Sequence, residues 1–211
     1  MAGAQNYLNC NLIYFNIKNT IKTNTFKIIS GDLRGRKFHF PDSNGLRPTS
    51  GKTRETLFNW LQFNITGKTV LDPFSGSGAL GIEAISRGAK KTFLIEKNIK
   101  VFKSLKSNLE LIDPTRFELV NEDSIQYLKK LEHDAFDYIF LDPPFNQQIL
   151  PLILNLLYER KLIHSDSQIY IESEFQITEE FLGNNCDYEC KIDKEKKSGN
   201  VYFCLISLGV V

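Results

Sequence analysis

The residues best suited to chemistry form the tetrad Asp142-Pro143-Pro144-Phe145, which follows an apolar run at residues 137–141. Two consecutive prolines fix φ and stiffen this DPPF turn, and each proline keeps a carbonyl acceptor but has no N–H donor. A planar exocyclic amine is a poor nucleophile because its lone pair is delocalised into the ring. Hydrogen bonds from its N–H groups to the Asp142 carboxylate and the Pro143 carbonyl would localise that lone pair, while Phe145 stacks on the ring. The tetrad therefore predicts a site that activates a planar amine as a nucleophile, with a rigid strand-to-helix turn as the purely structural alternative.

A glycine-rich turn at residues 71–81 joins an apolar strand to a helix and satisfies the spacing G-x-G-x-x-G. Glu96 ends the next strand, about where an acid binds the ribose in dinucleotide sites, so an NAD-dependent oxidoreductase must be considered. Asp72 favours a different ligand. A pyrophosphate at the helix N-terminus needs amide donors rather than a neighbouring carboxylate, whereas a carboxylate suits a ligand with positive charge. S-adenosylmethionine carries an ammonium and a sulfonium, and it is the cofactor that Asp72 predicts.

Three acids can each hold one part of that cofactor. Asp72 can accept from the methionine ammonium, Glu96 can accept from both ribose hydroxyls, and Asp123 can accept from the adenine amino group. Asp123 precedes Ser124 at the start of a predicted helix, so it is also a candidate helix cap. The predicted cofactor-binding residues are Asp72, Phe74, Ser75, Gly76, Gly78, Glu96, Asp123 and Ser124.

Alternating strands and helices must position these residues. Strands are predicted at residues 69–71, 92–95, 117–120, 137–141 and 168–172, and helices at residues 79–87, 99–111, 124–131 and 148–158. This alternation predicts an α/β fold with a parallel sheet covered on both faces. Two more strands, at residues 188–192 and 201–208 with a charged turn at 193–200, predict an antiparallel hairpin that closes the sheet. Ligands of such sheets bind outside the carboxyl ends of the strands, so both turns are expected to face one crevice.

The N-terminal part of the chain has a different character. Residues 1–25 show no clean period and are predicted to be a poorly ordered extension. Residues 26–64 are predicted to form a hairpin, with strands at 27–29 and 37–40, followed by a helix from Thr49 or Ser50 through Gln62. Residues 65–211 form the predicted catalytic domain.

Composition and charge limit the function further. With 42% hydrophobic and 24% charged residues and no apolar run near the ~18 residues of a membrane span, the sequence predicts a soluble globular protein. The four cysteines lack metal-binding spacing, which favours reduced thiols, a cytoplasmic location and no metal. The net charge of +1 hides an asymmetry, because residues 27–54 carry +5 and the rest carries −4. The basic segment suggests a polyanion-binding surface, and a solvated charged face remains the alternative.

The DPPF turn resembles motif IV of amino-group methyltransferases, usually written (D/N)PP(Y/F), and residues 72–78 resemble their motif I. Blocks at residues 29–37, 45–49, 54–61 and 170–174 make the chain similar to the RsmD family over roughly residues 26–208. The first 25 residues depart from the family's usual short start.

The resemblance implies a Rossmann-like class I methyltransferase fold, with a mostly parallel seven-stranded sheet, a C-terminal antiparallel hairpin and a small N-terminal hairpin and helix. It implies methyl transfer from S-adenosylmethionine to the exocyclic N2 of a guanine in 16S ribosomal RNA, within a small ribosomal subunit or its assembly intermediate. The guanine would leave its stack to reach Asp142, and the enzyme is expected to act as a monomer. The RNA contacts that the resemblance implies are Arg34, Arg36, Lys37, Arg47 and Arg54.

Several alternatives stay open. Arg47 and Arg54 could instead fold the N-terminal helix over the cofactor. Another amino methyltransferase, acting on DNA adenine N6 or protein glutamine N5, would share the tetrad, although such enzymes more often have Asn at its first position. A non-catalytic RNA-binding assembly factor could keep the fold without the activity.

Overall fold

The computed structural model describes residues 23–43, 46, 49–61, 64–145 and 149–209. Its strands are β1 (Thr23–Lys27), β2 (Lys37–Pro41), β3 (Thr69–Asp72), β4 (Lys91–Ile95), β5 (Phe117–Val120), β6 (Tyr138–Leu141), β7 (Gln168–Ser173), β8 (Cys190–Ser198) and β9 (Val201–Leu208). Its helices are α1 (Gly51–Leu61), α2 (Ala79–Ser86), α3 (Ile99–Leu109), α4 (Ser124–Lys130), α5 (Ile149–Glu159) and α6 (Glu179–Asn185).

Seven strands form one sheet in the order β5-β4-β3-β6-β7-β9-β8, and β1 pairs with β2 in a separate hairpin. The first five strands of this order are parallel, while β9 runs antiparallel to both β7 and β8. The chain leaves β3 toward β4 on one side and returns to β6 on the other. Such a reversal opens a crevice at the carboxyl ends of the two central strands, which is where ligands of open α/β sheets bind.

Apolar layers cover both faces of the sheet. One face packs against α4, α5 and α6, and the other packs against α1 and α2. The β1–β2 hairpin contributes Phe26, Ile28, Phe38 and Phe40 to a third cluster with α2 and α3. No helix among the described residues is long and apolar enough to cross a bilayer. The three cysteines of the described part, Cys186, Cys190 and Cys204, are free.

The predicted α/β sheet with its C-terminal antiparallel hairpin is confirmed. In the last third of the chain, one predicted turn is wrong and one helix was not predicted. The stretch 193–200 is not mainly a turn, because β8 continues to Ser198. This strand lies at the sheet edge and is largely solvent-exposed on both faces, so it lacks apolar alternation. Helix α6 was missed because Leu182 is its only buried residue, which leaves no helical apolar period.

The N-terminal hairpin is confirmed with a shifted first strand. β1 starts at Thr23, so residues 23–25 are part of a strand rather than of a poorly ordered extension. The remainder of that extension lies outside the described residues. Helix α1 starts at Gly51, after Ser50 Oγ accepts a hydrogen bond from the Thr53 N–H at 3.1 Å, and this agrees with the predicted cap.

Candidate active site

A cavity of about 710 Å³ opens at the carboxyl ends of β3, β4 and β6, a size within the range of small-molecule and cofactor sites. Its wall contains all four residues of the DPPF turn and seven of the eight predicted cofactor-binding residues. Gly78 is the exception. The topology brings these residues together from segments some 70 positions apart in the sequence, because β3 and β6 are neighbours in the sheet.

The glycine turn depends on left-handed backbone at two positions, since φ is 51° at Gly76 and 79° at Gly78. A Cβ on Gly78 would lie 2.4 Å from Leu105 Cδ1, which is closer than two carbon atoms can approach. Ser75 closes the turn by donating its hydroxyl hydrogen to the Asp72 carbonyl at 2.7 Å. Gly78 therefore shapes the turn and the start of α2, while its neighbours line the cavity.

Asp72 ends β3 at the deepest wall of the cavity and is 2% exposed. Its Oδ2 accepts a hydrogen bond from the Gly81 N–H at 3.2 Å. Burial, reinforced by the charge of Asp142, raises the pKa of Asp72 to about 8. A carboxyl group in such surroundings favours a cationic ligand, which would restore its ionised form.

Glu96 and Asp123 occupy the other end of the cavity. Glu96 Oε2 accepts from the Gly76 N–H at 3.0 Å and Oε1 accepts from the Asn98 N–H at 2.6 Å, and burial raises the pKa of Glu96. Each carboxylate oxygen can accept a second hydrogen bond, so Glu96 can still receive two hydroxyl groups. Asp123 caps α4 by accepting from the N–H groups of Ile125 and Gln126 at Oδ1, so the structure realises the capping alternative, and its Oδ2 lies 4.0 Å from Lys97 Nζ.

Ser124 and Phe74 serve the shape of the site. The buried Ser124 hydroxyl donates to the Pro73 carbonyl and thereby ties the start of α4 to the glycine turn. Phe74 packs partly against the main apolar cluster and partly lines the cavity. The three acceptors as a set fit S-adenosylmethionine: a buried acid for the ammonium, a fixed acid for two hydroxyls, and a half-buried acid for an amino group.

The DPPF turn begins directly after β6. Asp142 Oδ2 accepts a hydrogen bond from the Thr49 hydroxyl at 3.4 Å, and burial raises the pKa of Asp142 to about 6. Pro143 is buried, whereas Phe145 is 40% exposed. The turn thus presents an acceptor at the cavity wall and an aromatic ring at its mouth.

Two polar groups next to Asp142 were not selected as site residues from the sequence. Glu172, near the end of β7, is 5% exposed and accepts a hydrogen bond from the Tyr170 hydroxyl at 2.9 Å. Burial and the charge of Asp142 raise the pKa of Glu172 to about 8. Its signal was the same as that of Asp72, an acid at the carboxyl end of a buried strand. Thr49 gave no signal of this kind, because its partner is 93 positions away.

The basic turn of the N-terminal hairpin lies at the end of the sheet opposite to the cavity. Arg34, Arg36 and Lys37 are exposed, as a polyanion contact requires. The turn is held by Ser86, whose carbonyl accepts from the Asp32 N–H at 2.8 Å. Ser86 ends α2, whose start borders the cavity, and eight residues of helix span about 12 Å. The structure therefore does not bring this turn together with the DPPF turn.

Arg54 was wrongly expected to contact RNA. It is 3% exposed, its guanidinium lies 3.7 Å from the Glu83 carboxylate, and it donates to the Lys27 carbonyl at 3.1 Å. Glu83 is fully buried and also accepts from the N–H groups of Ile29 and Ser30. Arg54 therefore joins α1 to the hairpin and α2, and it shares the buried Glu83 with Arg87, whose Nε lies 2.8 Å from the same carboxylate. Arg47 lies outside the described residues.

Comparison with known proteins agrees with this geometry. The profile of the family described as "Conserved hypothetical protein 95" matches residues 26–207. "Ribosomal RNA small subunit methyltransferase D" of Buchnera aphidicola (subsp. Acyrthosiphon pisum) is 43% identical over 153 residues, which cover 72% of this chain and 80% of that protein. The protein of the same name from Escherichia coli K12 is 41% identical over 150 residues, covering 71% of this chain and 75% of that protein. The solved structure of yhhF from Escherichia coli superimposes with a TM-score of 0.77 at 36% identity, covering 88% of this chain and 98% of that one.

Proposed function

Because the chain belongs to the RsmD family and has the class I methyltransferase fold, we propose that it transfers a methyl group from S-adenosylmethionine to the exocyclic N2 of a guanine in small-subunit (16S) ribosomal RNA. The observation that carries the proposal is that Asp72, Glu96, Asp142 and Pro143 line one cavity. Asp72 and Glu96 suit a cationic nucleoside cofactor, and Asp142 and Pro143 suit a planar amine. The names of the curated relatives give the coarser activity, a methyltransferase acting on small-subunit ribosomal RNA.

The cofactor, when bound, supplies an electrophilic methyl group on its sulfonium. Asp72 holds the ammonium, and Glu96 holds the ribose through acceptor positions that its backbone donors leave open. Asp123 offers Oδ2, which takes no part in the helix cap, to the adenine amino group. Together Asp72, Glu96 and Asp123 would hold the cofactor in the cavity that the DPPF turn also lines.

Asp142 and Pro143 prepare the nucleophile. The carboxylate and the carbonyl each accept one N–H of the amine, which localises the lone pair and aims it at the methyl carbon. Pro144 keeps the turn rigid, and Phe145 stacks on the extruded base. Both oxygens of Asp142 act purely as acceptors only when the carboxyl group is ionised, so its pKa of about 6 suits neutral pH.

Asp at the first position of the tetrad supports guanine. An ionised carboxylate only accepts hydrogen bonds. Guanine presents N1–H beside its N2 amino group, which are adjacent donors, whereas adenine presents an acceptor beside its amine. The exposed residues Arg34, Arg36 and Lys37 are proposed to contact phosphates of a substrate that extends around the protein, since such contacts position RNA without reading it. We further propose that the protein acts as a cytoplasmic monomer on a small ribosomal subunit or its assembly intermediate.

The experiment that tests the proposal combines the protein and labelled S-adenosylmethionine with small ribosomal subunits from a strain that lacks this gene. The labelled nucleoside is then identified by chromatography and mass spectrometry, with the Asp142→Ala variant as the control. N2-methylguanosine is the expected product. Label in another nucleoside of the RNA or in a ribosomal protein would contradict the proposed acceptor, and failure to bind the cofactor would favour a non-catalytic assembly factor.

A further inference from the structure

The turn between β8 and β9 lies at the same end of the sheet as the DPPF turn, where the parallel strands finish, although the two are far apart in the sequence. In the parallel pair of β6 and β7, Leu141 is opposite Ile171, so Asp142 stands beside Glu172. Glu172 is in turn opposite Phe203, and Phe203 is opposite Lys196. Lys196 is therefore three strand spacings from Asp142, or about 14 Å.

A groove of about 200 Å³ lies between this hairpin and the loop that follows β7. Lys196, Lys197, Tyr202, Glu195 and Gln176 are among the residues that line it. The acid in this set has a partner, because Gln176 Nε2 donates to Glu195 Oε2 at 3.2 Å. Lys196 makes no ion pair with any other described residue, so its positive charge is available to an anion.

Aromatic rings accompany these cations. Lys197 Nζ lies 4.3 Å from the centroid of the Tyr202 ring and donates to the Tyr202 hydroxyl at 2.7 Å, which holds the ammonium group at the groove. Phe175, in the adjoining loop, is 42% exposed and packs edge-on against Phe181 with ring centroids 5.2 Å apart. Tyr202 is a partly exposed ring beside a lysine, and Phe175 is an exposed ring one residue before the groove residue Gln176. Rings and lysines together are the means by which proteins bind single-stranded nucleic acid, by stacking on bases and pairing with phosphates.

We propose that Phe175, Lys196, Lys197 and Tyr202, the hairpin patch, bind the single-stranded RNA that flanks the target guanine. This inference rests on the proposed function, since it takes RNA as the substrate. A base extruded toward Asp142 leaves its neighbouring nucleotides at the rim of the site, and the hairpin patch is within reach of them. The basic turn at Arg34 and Arg36 lies at the opposite end of the sheet and would contact more distant phosphates.

Protection of the sheet edge is the competing explanation for lysines on β8. Charged side chains on an edge strand prevent pairing with another chain. That role applies equally to Lys191 and Lys194, which lie on the same strand but farther from the DPPF turn, opposite Ser207 and Leu205. The two pairs of lysines therefore form a matched comparison, because only RNA contact predicts a difference between them.

The test measures binding of a short fluorescein-labelled single-stranded RNA with one central guanine, by fluorescence anisotropy over a range of salt concentrations. Exchange of Lys196 and Lys197 for Gln in one double variant is expected to weaken binding about tenfold at low salt. The slope of log K against log salt should become shallower by about 1.4, since each contact with a single-stranded phosphate contributes about 0.7. The same exchange at Lys191 and Lys194 should leave both quantities unchanged.

Phe175→Ala should weaken binding several-fold at an unaltered slope, because stacking involves no counterion release. Thermal unfolding midpoints of all variants check that the fold is retained. Equal losses in the two lysine pairs, or no loss in either, would overturn the inference and leave the proposed function in place. A wild-type protein that does not bind this RNA would overturn the inference, while the proposed function is decided separately by the nucleoside labelled in ribosomal subunits.

Discussion

Replacement of Asp72 by Asn is expected to stabilise the protein without cofactor while weakening its affinity for the cofactor. Asp72 is 2% exposed, and burial together with the charge of Asp142 raises its pKa to about 8. An acid whose pKa is raised by folding binds more protons in the folded protein than in the unfolded one. The free energy of unfolding therefore falls as the pH rises from about 4 to about 8, and this decrease is absent from the Asn variant.

The structure sets the size of the effect. Each pH unit above the ordinary value of 3.8 costs at most about 1.4 kcal/mol, which gives an upper limit of about 4 kcal/mol at pH 7. Asn retains the oxygen that accepts from the Gly81 N–H. Neighbouring acids such as Asp142 can take up protons themselves, which relieves part of the electrostatic repulsion on ionised Asp72. We therefore expect the Asn variant to gain roughly 2 kcal/mol at pH 7.

Urea unfolding of both proteins at pH 5 and pH 8 measures this gain, which should grow with pH. Calorimetric titration with S-adenosylmethionine, in buffers of different ionisation enthalpy, measures the binding. At pH 7 a carboxyl group with a pKa of about 8 holds about 0.9 proton, which Asp72 should release when the ammonium binds. The Asn variant should release fewer protons and bind at least about tenfold more weakly. An Asn variant that is less stable than the wild type at pH 8, or that binds the cofactor equally well, would refute this reasoning.

Three further substitutions test the other parts of the site and its support. Asp142→Ala should keep the fold and the cofactor affinity but lose about 10²- to 10³-fold in the rate of methyl transfer. The wild-type rate should fall below pH 6, where Asp142 becomes protonated. A radiometric assay across pH tests both expectations, and a variant with activity near that of the wild type would contradict the role of Asp142 in methyl transfer. Gly78→Ala should lower the free energy of unfolding by roughly 2–4 kcal/mol, because φ is 79° and the added carbon would lie 2.4 Å from a leucine of α3. Urea unfolding measures this loss of stability. A variant as stable as the wild type would show that the turn rearranges. Arg54→Met should cost roughly 2 kcal/mol, because it removes the hydrogen bond to the Lys27 carbonyl and one of the two cationic partners of Glu83, while Arg87 stays 2.8 Å from that acid. The exposed control Arg34→Gln should change stability by less than about 0.5 kcal/mol. Equal changes in the two unfolding curves would contradict the structural role of Arg54.

Most of the fold could be predicted because its central strands are buried on both faces. Such strands read as short continuous apolar runs, and the predicted bounds of β3, β4, β6 and β7 agree with the structure within one residue. Strand β8 offers no run of this kind, since its lysines and acids face solvent on both sides. Local sequence then favours a turn, and only pairing with β9 makes the segment a strand.

Whether a residue of the site could be predicted also depends on whether it follows a buried strand. Asp72, Glu96 and Asp142 each follow a buried strand, so their position at the crevice could be inferred from the sequence alone. The burial of Arg54 could not, because it depends on Glu83, an acid inside α2 that is 29 positions away. A basic residue within a basic segment looks like a solvated charge until its partner is known.

The acids at the centre of the sheet explain why this glycine turn suits S-adenosylmethionine rather than NAD. Asp72, Asp142 and Glu172 stand at the carboxyl ends of the neighbouring strands β3, β6 and β7, and burial is the main reason that the pKa of each is raised. No ion pair between described residues includes any of the three. Such a cluster destabilises the folded chain whenever it ionises, an arrangement typical of functional sites. A ligand with an ammonium and a sulfonium offsets this negative charge, whereas a pyrophosphate would add to it, so equal affinities for the two cofactors would contradict the electrostatic argument.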